Sequence, residues 1–189
     1  MDSNITIHIN HYNVEGGIYM QIRLAGIIEN SLTNGEGIRK VIFAQGCRHN
    51  CKGCFNPETH SFTGGVLCDT DKIIESINND KFIDGVTFSG GDPFEQPLEF
   101  AEIAKNINLS SIWCYTGYTF EYIMEEINNG NRPEWYELLK YIECLVDGKF
   151  DENKMGGKHK FRGSINQRLI NVPESLKCGE VVCIVDYDK

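Results

Sequence analysis

The chain has 189 residues, of which 41% are hydrophobic, and this size suits one compact domain with a sizeable core. It is short for a complete eightfold βα barrel, which takes about 250 residues. The net charge of −9, from 27 acidic against 18 basic residues, argues against a nucleic-acid partner, because phosphate backbones are bound by clustered Lys and Arg.

Residues 1–19 stand apart from the rest of the chain. Ile5, Ile7 and Ile9 alternate with polar residues, which predicts a half-buried strand, although a loose extension before Met20 fits equally well. The segment lacks the features of a secretory signal, and no apolar run approaches the roughly 20 residues of a membrane span. We therefore expect a cytoplasmic protein without a membrane partner, whose thiols stay reduced.

Apolar runs and helical stripes alternate along the remaining residues. The runs that predict strands are residues 41–44, 86–88, 112–115, 142–146 and 181–185. The predicted helices begin near Asp69 or Thr70, Pro97, Thr119 and Pro133. This alternation implies an α/β fold with a mainly parallel sheet and right-handed crossovers.

Chemically unusual segments follow each of the first four predicted strands. These segments are residues 46–54, 89–93, 116–118 and 147–150. In a parallel sheet the loops that leave the strand C-termini gather on one face, and ligands bind there. The sequence therefore predicts one site built from all four segments.

Three of the eight cysteines, Cys47, Cys51 and Cys54, share one short loop with C-x3-C-x2-C spacing. Eight cysteines in a reducing compartment favour metal binding or catalysis over disulfides. A complete iron–sulfur cube usually takes four cysteines, so a cube held by three would leave one iron open to bind a substrate.

Two other interpretations of the cysteine loop stay open. A structural zinc site could use His49 or His60 as its fourth ligand, although only one gap has the C-x2-C spacing that zinc favours. A ferredoxin-like electron carrier would supply further closely spaced cysteines, and none follows Cys54 nearby.

The other segments are weaker signals when each is taken alone. Gly90 and Gly91 let the backbone approach a ligand, and Asp92 could meet a cation, but the segment also suits an ordinary turn. The Asp147-Gly148-Lys149 segment offers an acid and a base that a solvated turn would also explain. Arg162 could bind a ligand carboxylate or ribose, or lie in an exposed loop.

The cysteine loop, together with the Gly-Gly-acidic turn, resembles the radical S-adenosylmethionine superfamily. Over roughly residues 20–172 the chain resembles one family in it, the activating proteins of anaerobic (class III) ribonucleoside-triphosphate reductases. Seven motifs carry this resemblance: Asn-Gly-Glu-Gly-Ile-Arg at 34–39, Gln-Gly-Cys at 45–47, Cys-Phe-Asn-Pro-Glu-Thr at 54–59, Ser-Gly-Gly-Asp-Pro at 89–93, Tyr-Thr-Gly-Tyr at 115–118, Val-Asp-Gly-Lys-Phe at 146–150 and Arg-Gly-Ser-Ile-Asn-Gln at 162–167.

The chain departs from the superfamily pattern at two positions. Many members have an aromatic residue just before the third cysteine, where this chain has Gly53 and places Phe55 after the cysteine. Many members also have Glu where this chain has Asp92. Both features resemble the activating proteins, and they leave open how the adenine is held.

The resemblance implies an oxidoreductase with a [4Fe-4S] cluster and S-adenosylmethionine as cofactors. A reduced cluster passes one electron to the sulfonium, whose C–S bond breaks to give methionine and a 5′-deoxyadenosyl radical. That radical removes a hydrogen atom from a glycine of the large reductase subunit. The implied partners are this subunit and an electron donor such as flavodoxin or ferredoxin.

The resemblance also implies a fold and a set of site residues. The fold is a partial, incomplete βα barrel in one domain at 20–189, after an extension at 1–19. Cys47, Cys51 and Cys54 are the implied metal ligands and catalytic residues. The implied cofactor-binding residues are Phe55, Asn56, Ser89, Gly90, Gly91, Asp92, Thr116, Asp147, Lys149 and Arg162.

Three other functions remain as alternatives. The chain could activate another glycyl-radical enzyme, such as a formate-lyase, or act as a small radical enzyme on a free metabolite. In a different class, it could be a zinc-stabilised binding module.

Overall fold

The computed structural model describes residues 20–156 and 159–185, so the extension predicted at 1–19 lies outside the described residues. Within them, seven strands form one sheet that is accompanied by five helices. The strands are β1 (Gln21–Ser31), β2 (Arg39–Ala44), β3 (Val66–Asp69), β4 (Gly85–Gly90), β5 (Ile112–Tyr115), β6 (Cys144–Asp147) and β7 (Arg168–Asn171). The helices are α1 (Thr70–Asn79), α2 (Pro97–Asn106), α3 (Phe120–Asn128), α4 (Glu134–Leu139) and α5 (Val172–Cys178).

The sheet is mixed, with strand order β3-β1-β2-β4-β5-β6-β7. The central pairs β2–β4, β4–β5 and β5–β6 are parallel, whereas β1 pairs antiparallel with β2 and β3, and β6 pairs antiparallel with β7. The prediction of a mainly parallel sheet is therefore corrected. Antiparallel neighbours need no helical crossover, so the alternation of strands and helices gave no signal for them.

The predicted central elements agree with the structure. The runs at 41–44, 86–88 and 112–115 lie in β2, β4 and β5, and the run at 142–146 overlaps β6. Helices α1 to α4 begin within one residue of the positions that the sequence indicates. The run at 181–185 is not a strand of the sheet, since it makes a single bridge between Cys183 and Ile170.

The central sheet packs against the helices with one face only. Because side chains alternate across a strand, Cys114 of β5 lies in the large core beneath the helices, while Trp113 lies on the opposite face. Val146 and Leu169 join Trp113 in this second, smaller cluster. The opposite face is thus left for the loops that form the site. Among the described residues, no helix has the length and apolarity of a membrane span.

Arg39, at the start of β2, is the main polar anchor of this opposite face and is 1% exposed. Its Nε donates to Thr87 Oγ1 at 2.7 Å, and its Nη2 donates to the carbonyls of Val86 and Ser111 at 2.6 and 2.9 Å. Burial lowers the pKa of the guanidinium, which nevertheless stays charged at neutral pH because Arg starts from so high a value.

The bonds of Arg39 reach the loop between β1 and β2. Its Nη1 donates to the carbonyl of Glu36 at 3.0 Å, and Thr87 in turn donates to the carbonyl of Asn34 at 2.7 Å. Arg39 also lies over the Trp113 ring, 5.4 Å from its centroid. This residue therefore holds residues 34–36 across the face on which the site is built.

We predict that Arg39→Met lowers the free energy of unfolding by roughly 3 kcal/mol or more, because each buried carbonyl left without a donor costs about 1–3 kcal/mol. Urea denaturation of the metal-free protein measures this loss. Arg132→Met is the control, since the half-exposed Arg132 side chain makes an ion pair with Glu134 at 3.6 Å and lies 5.6 Å from the centroid of the Trp135 ring, and the loss of these two weak contacts should cost about 1 kcal/mol. Equal losses in the two variants would contradict the role given to Arg39.

Candidate metal and cofactor site

One cavity of about 460 Å³ lies against the C-terminal ends of β2, β4, β5 and β6. Its volume is in the range of small-molecule sites in proteins. The structure brings ten of the sequence-predicted site residues to its wall: Cys47, Cys51, Cys54, Phe55, Asn56, Ser89, Gly90, Gly91, Thr116 and Arg162. The unusual segments thus gather at one place, as the order of the strands predicted.

The three cysteines of the loop are partly buried and free of disulfide bonds. Burial raises the pKa of the Cys47 thiol to about 11 and also raises the pKa of Cys51. The backbone N–H of Asn56 donates to Cys54 Sγ at 3.4 Å. Without metal the thiols of Cys47 and Cys51 are protonated near neutral pH, so a metal that binds them must displace their protons.

The donor set fits a cluster better than a single ion. Among the described residues, no group of three or more His, Cys, Asp or Glu side chains could hold one metal ion. A zinc ion needs each ligand atom about 2.0–2.3 Å from itself. The thiolates of a four-iron cluster bind different irons and can therefore stand farther apart. His49, one proposed zinc ligand, has its Nε2 occupied by Asp92 at 2.7 Å. His60 lines the cavity without completing a single-ion site.

The Gly-Gly turn after β4 packs directly on the backbone that leads to the first cysteine. Gly90 has a left-handed φ of +96°, and a Cβ on Gly91 would lie 2.3 Å from the carbonyl oxygen of Gly46. The N–H of Gly91 donates to the Ala44 carbonyl at 2.8 Å. Only glycine permits this approach, so bare backbone faces the cavity beside the cysteine loop.

The Asp92 side chain, which the sequence led us to expect beside a ligand, is completely buried and does not line the cavity. It accepts hydrogen bonds from Thr116 Oγ1 at 2.8 Å and from the N–H groups of Phe94 and Gly117, each at 3.0 Å. With His49 as a further partner, its oxygens are already used within the protein. The carboxylate therefore fixes the cavity wall, and its contact with a ligand stays a prediction.

His49, which the sequence indicates only as an alternative zinc ligand, has a structural place in the site. Its side chain is 6% exposed and packs edge-on against the Tyr118 ring, with 4.3 Å between the ring centroids. A Cβ on Gly117 would lie 2.4 Å from the imidazole, so Gly117 provides the slot that His49 fills. Because His49 lies between Cys47 and Cys51, its contact with Asp92 ties the cysteine loop to the loops after β4 and β5.

Asp147 and Lys149 do not line the cavity, contrary to expectation. Asp147 is 1% exposed and accepts hydrogen bonds from Arg168 Nε at 3.0 Å and from the N–H of Phe120 at 2.8 Å. It therefore anchors the start of α3. Lys149 is exposed, but its ammonium lies near enough to Cys51 to oppose the rise in the pKa of that thiol.

Arg162 reaches the cavity from the connection between β6 and β7. Its Nη1 donates to the carbonyl of Gln167 at 3.1 Å, and its Nη2 lies 3.0 Å from His159 Nδ1. Its neighbour Phe161 has a left-handed φ of 62° and packs edge-on against Trp113. A guanidinium held in this way can still present positive charge to a ligand carboxylate.

The cavity is also lined by residues that the sequence did not indicate as site residues. Asn34, Tyr115, Phe150, Gly163 and Gln167 belong to the motifs of the resemblance, so those motifs were the available signal. Phe43 and Phe161 had no such signal, since only the assembled sheet shows which face they occupy. They are apolar wall residues beside the polar cysteine loop.

The chain matches a family model described as a 4Fe-4S single cluster domain over residues 33–170. Curated relatives named anaerobic ribonucleoside-triphosphate reductase-activating protein are similar across most of their length. The protein of Enterobacteria phage T4 is 37% identical over 145 residues, which cover 72% of this chain and 85% of the relative. The Haemophilus influenzae protein is 36% identical over 144 residues, covering 71% and 88%, and that of Escherichia coli K12 is 31% identical over 147 residues, covering 72% and 90%.

We predict that His49→Leu weakens iron binding during anaerobic reconstitution by about tenfold or more, the effect typical of losing a partner behind a metal ligand. His49→Gln should retain much of the binding, because its amide N–H can still donate to Asp92. Iron and sulfide per chain are measured, with thermal stability alongside. Ile103→Ala in the core beneath the helices controls for lost stability alone. Wild-type iron content in His49→Leu would contradict this role.

Proposed function

The chain belongs to the family of anaerobic ribonucleoside-triphosphate reductase-activating proteins, and on this premise we propose that it generates the glycyl radical of such a reductase. The observation that carries the proposal is the meeting of three free thiols and a Gly-Gly turn at one cavity. An open metal position beside backbone that lacks side chains suits a reaction in which a small polar ligand must touch the metal.

We assign the cluster to Cys47, Cys51 and Cys54. A cluster held there would supply the electron that cleaves the C–S bond of S-adenosylmethionine, and this cleavage would provide the means of removing a hydrogen atom from a glycine of the reductase. The protein holds both cofactors in one cavity and limits the access of water to them. Three thiols are too few to fill every iron, which leaves room for the ligand.

The walls of the cavity suit the parts of S-adenosylmethionine. Ser89, Gly90 and Gly91 present backbone for its amino group, and Arg162 supplies positive charge for its carboxylate. Phe55 and Asn56 follow the last cysteine and line the same cavity. Thr116 contributes mainly structure, because its hydroxyl donates to Asp92.

Three further features belong to the same proposal. Residues 20–189 form the radical S-adenosylmethionine domain after an extension at 1–19, which the family match over 33–170 supports. The sheet is an incomplete barrel, and its open side admits the glycine-bearing loop of the reductase. An electron donor such as flavodoxin or ferredoxin reduces the cluster in the cytoplasm, without a nucleic-acid or membrane partner.

We predict that anaerobic incubation of the iron-loaded protein with S-adenosylmethionine, a reductant and the large reductase subunit produces a glycyl radical signal in electron spin resonance. A parallel incubation with a formate-lyase should give none. A signal on the formate-lyase alone would assign the protein to that other partner.

We also predict that Cys51→Ser abolishes cluster absorbance and S-adenosylmethionine cleavage together, because the hydroxyl is a poor ligand for soft iron. Cys68→Ser is the matched control, since Cys68 is equally free but lies on β3 outside the cavity. Cleavage by Cys51→Ser at the wild-type rate would refute the ligand assignment.

A further inference from the structure

A group of exposed residues lies on the cysteine loop and the chain around it, outside the lining of the cavity. Phe62 is 45% exposed and Leu67 49%. Arg48 has a 62% exposed side chain, which lies over the Phe62 ring at 5.1 Å from its centroid. Arg23 of β1 is the cross-strand partner of Leu67 of β3. We call Arg23, Arg48, Phe62 and Leu67 the outer surface, since none of these four described residues lines the cavity.

The outer surface is continuous across the edge of the sheet. Ile22 and Cys68, which are the chain neighbours of Arg23 and Leu67, pack in the core beneath the helices. Because side chains alternate along a strand, Arg23 and Leu67 lie on the opposite face. Arg23 Nη1 also donates to the Gly64 carbonyl at 3.0 Å, which joins β1 to the connection between β2 and β3.

Positive charge prevails on the outer surface, in contrast to the chain as a whole. The chain carries −9, whereas residues 41–68 contain two Lys and Arg against Glu58 alone, and Arg23 adds another positive charge. Glu95, which pairs with Arg48 at 2.8 Å, is only 5% exposed, so the guanidinium is the group that solvent meets. An acidic protein is therefore attracted to this surface and repelled by most of the remaining chain.

The outer surface also touches the backbone that leads to the first cysteine. A Cβ on Gly46 would lie 2.7 Å from the Phe62 ring, so the ring directly covers the Gly46 backbone. Gly46 is bonded to Cys47, the first of the proposed cluster ligands. An electron tunnels more readily through bonded and packed atoms than across open solvent. The Phe62 ring and Gly46 therefore provide a short path from the outer surface to a proposed ligand.

Hydrogen bonds hold this part of the chain in place before any partner arrives. Gln45 is 3% exposed, and its Nε2 donates to the carbonyls of Glu58 and Ser61 at 3.1 and 2.6 Å. The N–H of Gly46 donates to the Thr59 carbonyl at 2.8 Å. A surface that is ordered in advance loses less conformational freedom on binding.

We infer that the outer surface docks an acidic, flavin-containing electron carrier, which reduces the cluster without entering the cavity. The inference rests on the proposed function, in which the cavity itself is taken by S-adenosylmethionine and the reductase glycine. The flavin hydroquinone of the carrier loses one electron and the cluster gains it, so no proton has to cross the interface.

The chemistry of the surface suits this partner. The dimethylbenzene edge of a flavin is apolar and can pack on the exposed Phe62 ring, while acidic side chains around the flavin meet Arg23 and Arg48. Electron-transfer partners bind through small surfaces, so a patch of four side chains is sufficient. A nucleic acid would also be attracted by the two arginines, but it offers no electron to the cluster.

The experiment measures the dissociation constant of an oxidised, acidic flavodoxin for the iron-loaded protein at low salt. Thr63→Glu with Leu67→Glu should raise it about tenfold, because like charges then face each other, and Arg48→Gln should raise it about threefold through lost attraction. Reduced flavodoxin at limiting concentration should cleave S-adenosylmethionine more slowly with these variants, in the same proportion. Dithionite in its place should support the wild-type rate in all of them.

A matched control lies at the other end of the parallel strands. Phe82, which is 82% exposed, precedes β4, and the exposed Ser110 precedes β5. Phe82→Glu with Ser110→Glu replaces one exposed apolar and one exposed polar residue by two acids, as the test variant does. Its dissociation constant for flavodoxin should equal that of the wild type.

The outcomes separate the inference from the function beneath it. Equal dissociation constants in the test variants and the wild type would overturn the inference, as would binding of a ferredoxin but not of flavodoxin. An equal loss of cleavage with flavodoxin and with dithionite would also overturn it, by assigning these residues to the cofactor site. Iron-loaded wild type that cleaves no S-adenosylmethionine with either reductant would overturn the proposed function and the inference together.

Discussion

The site depends on one buried carboxylate, that of Asp92. Burying a carboxylate is costly unless several donors compensate it, and here the donors come from different loops. His49 follows β2, Phe94 follows β4, and Thr116 and Gly117 follow β5. The carboxylate thus joins the cysteine loop to the two neighbouring walls of the cavity. These hydrogen bonds of Asp92 therefore fix the position of the three thiols relative to the Gly-Gly turn.

The same design recurs at other positions of the sheet. Asp147 at the end of β6 is buried against Arg168 and the first N–H of α3. Arg39 at the start of β2 satisfies carbonyls of the neighbouring strands from beneath the site. Buried charges therefore hold the framework, while the cavity itself presents thiols, bare backbone and aromatic rings. The residues that line the cavity and the residues that hold the fold together are therefore different, even where they are neighbours in sequence, as Gly91 and Asp92 are.

The sequence predicted the centre of the fold and missed its edges. Apolar runs such as 112–115 are buried on both faces, so composition alone identifies them. β1 is buried on one face only, and β3 has only four residues, so neither gives a clear strand pattern in the sequence. Without these two strands, the sequence could not indicate the antiparallel pairs that they form. For the site, spacing located the cysteines and glycines. It could not tell that Asp92 and Asp147 are buried, because the partners that compensate their carboxylates, such as His49, Gly117 and Arg168, are distant in sequence.

The most direct measurement is electron spin resonance of the anaerobically reconstituted, reduced protein, with and without S-adenosylmethionine labelled with ¹⁷O in its carboxylate. If three thiolates hold a four-iron cluster and leave one iron for the ligand, the protein contains iron and sulfide in equal amounts. The cluster signal then changes when the compound is added, and the label couples to it. Zinc in place of iron, or a cluster signal that the labelled compound leaves unchanged, would contradict the account.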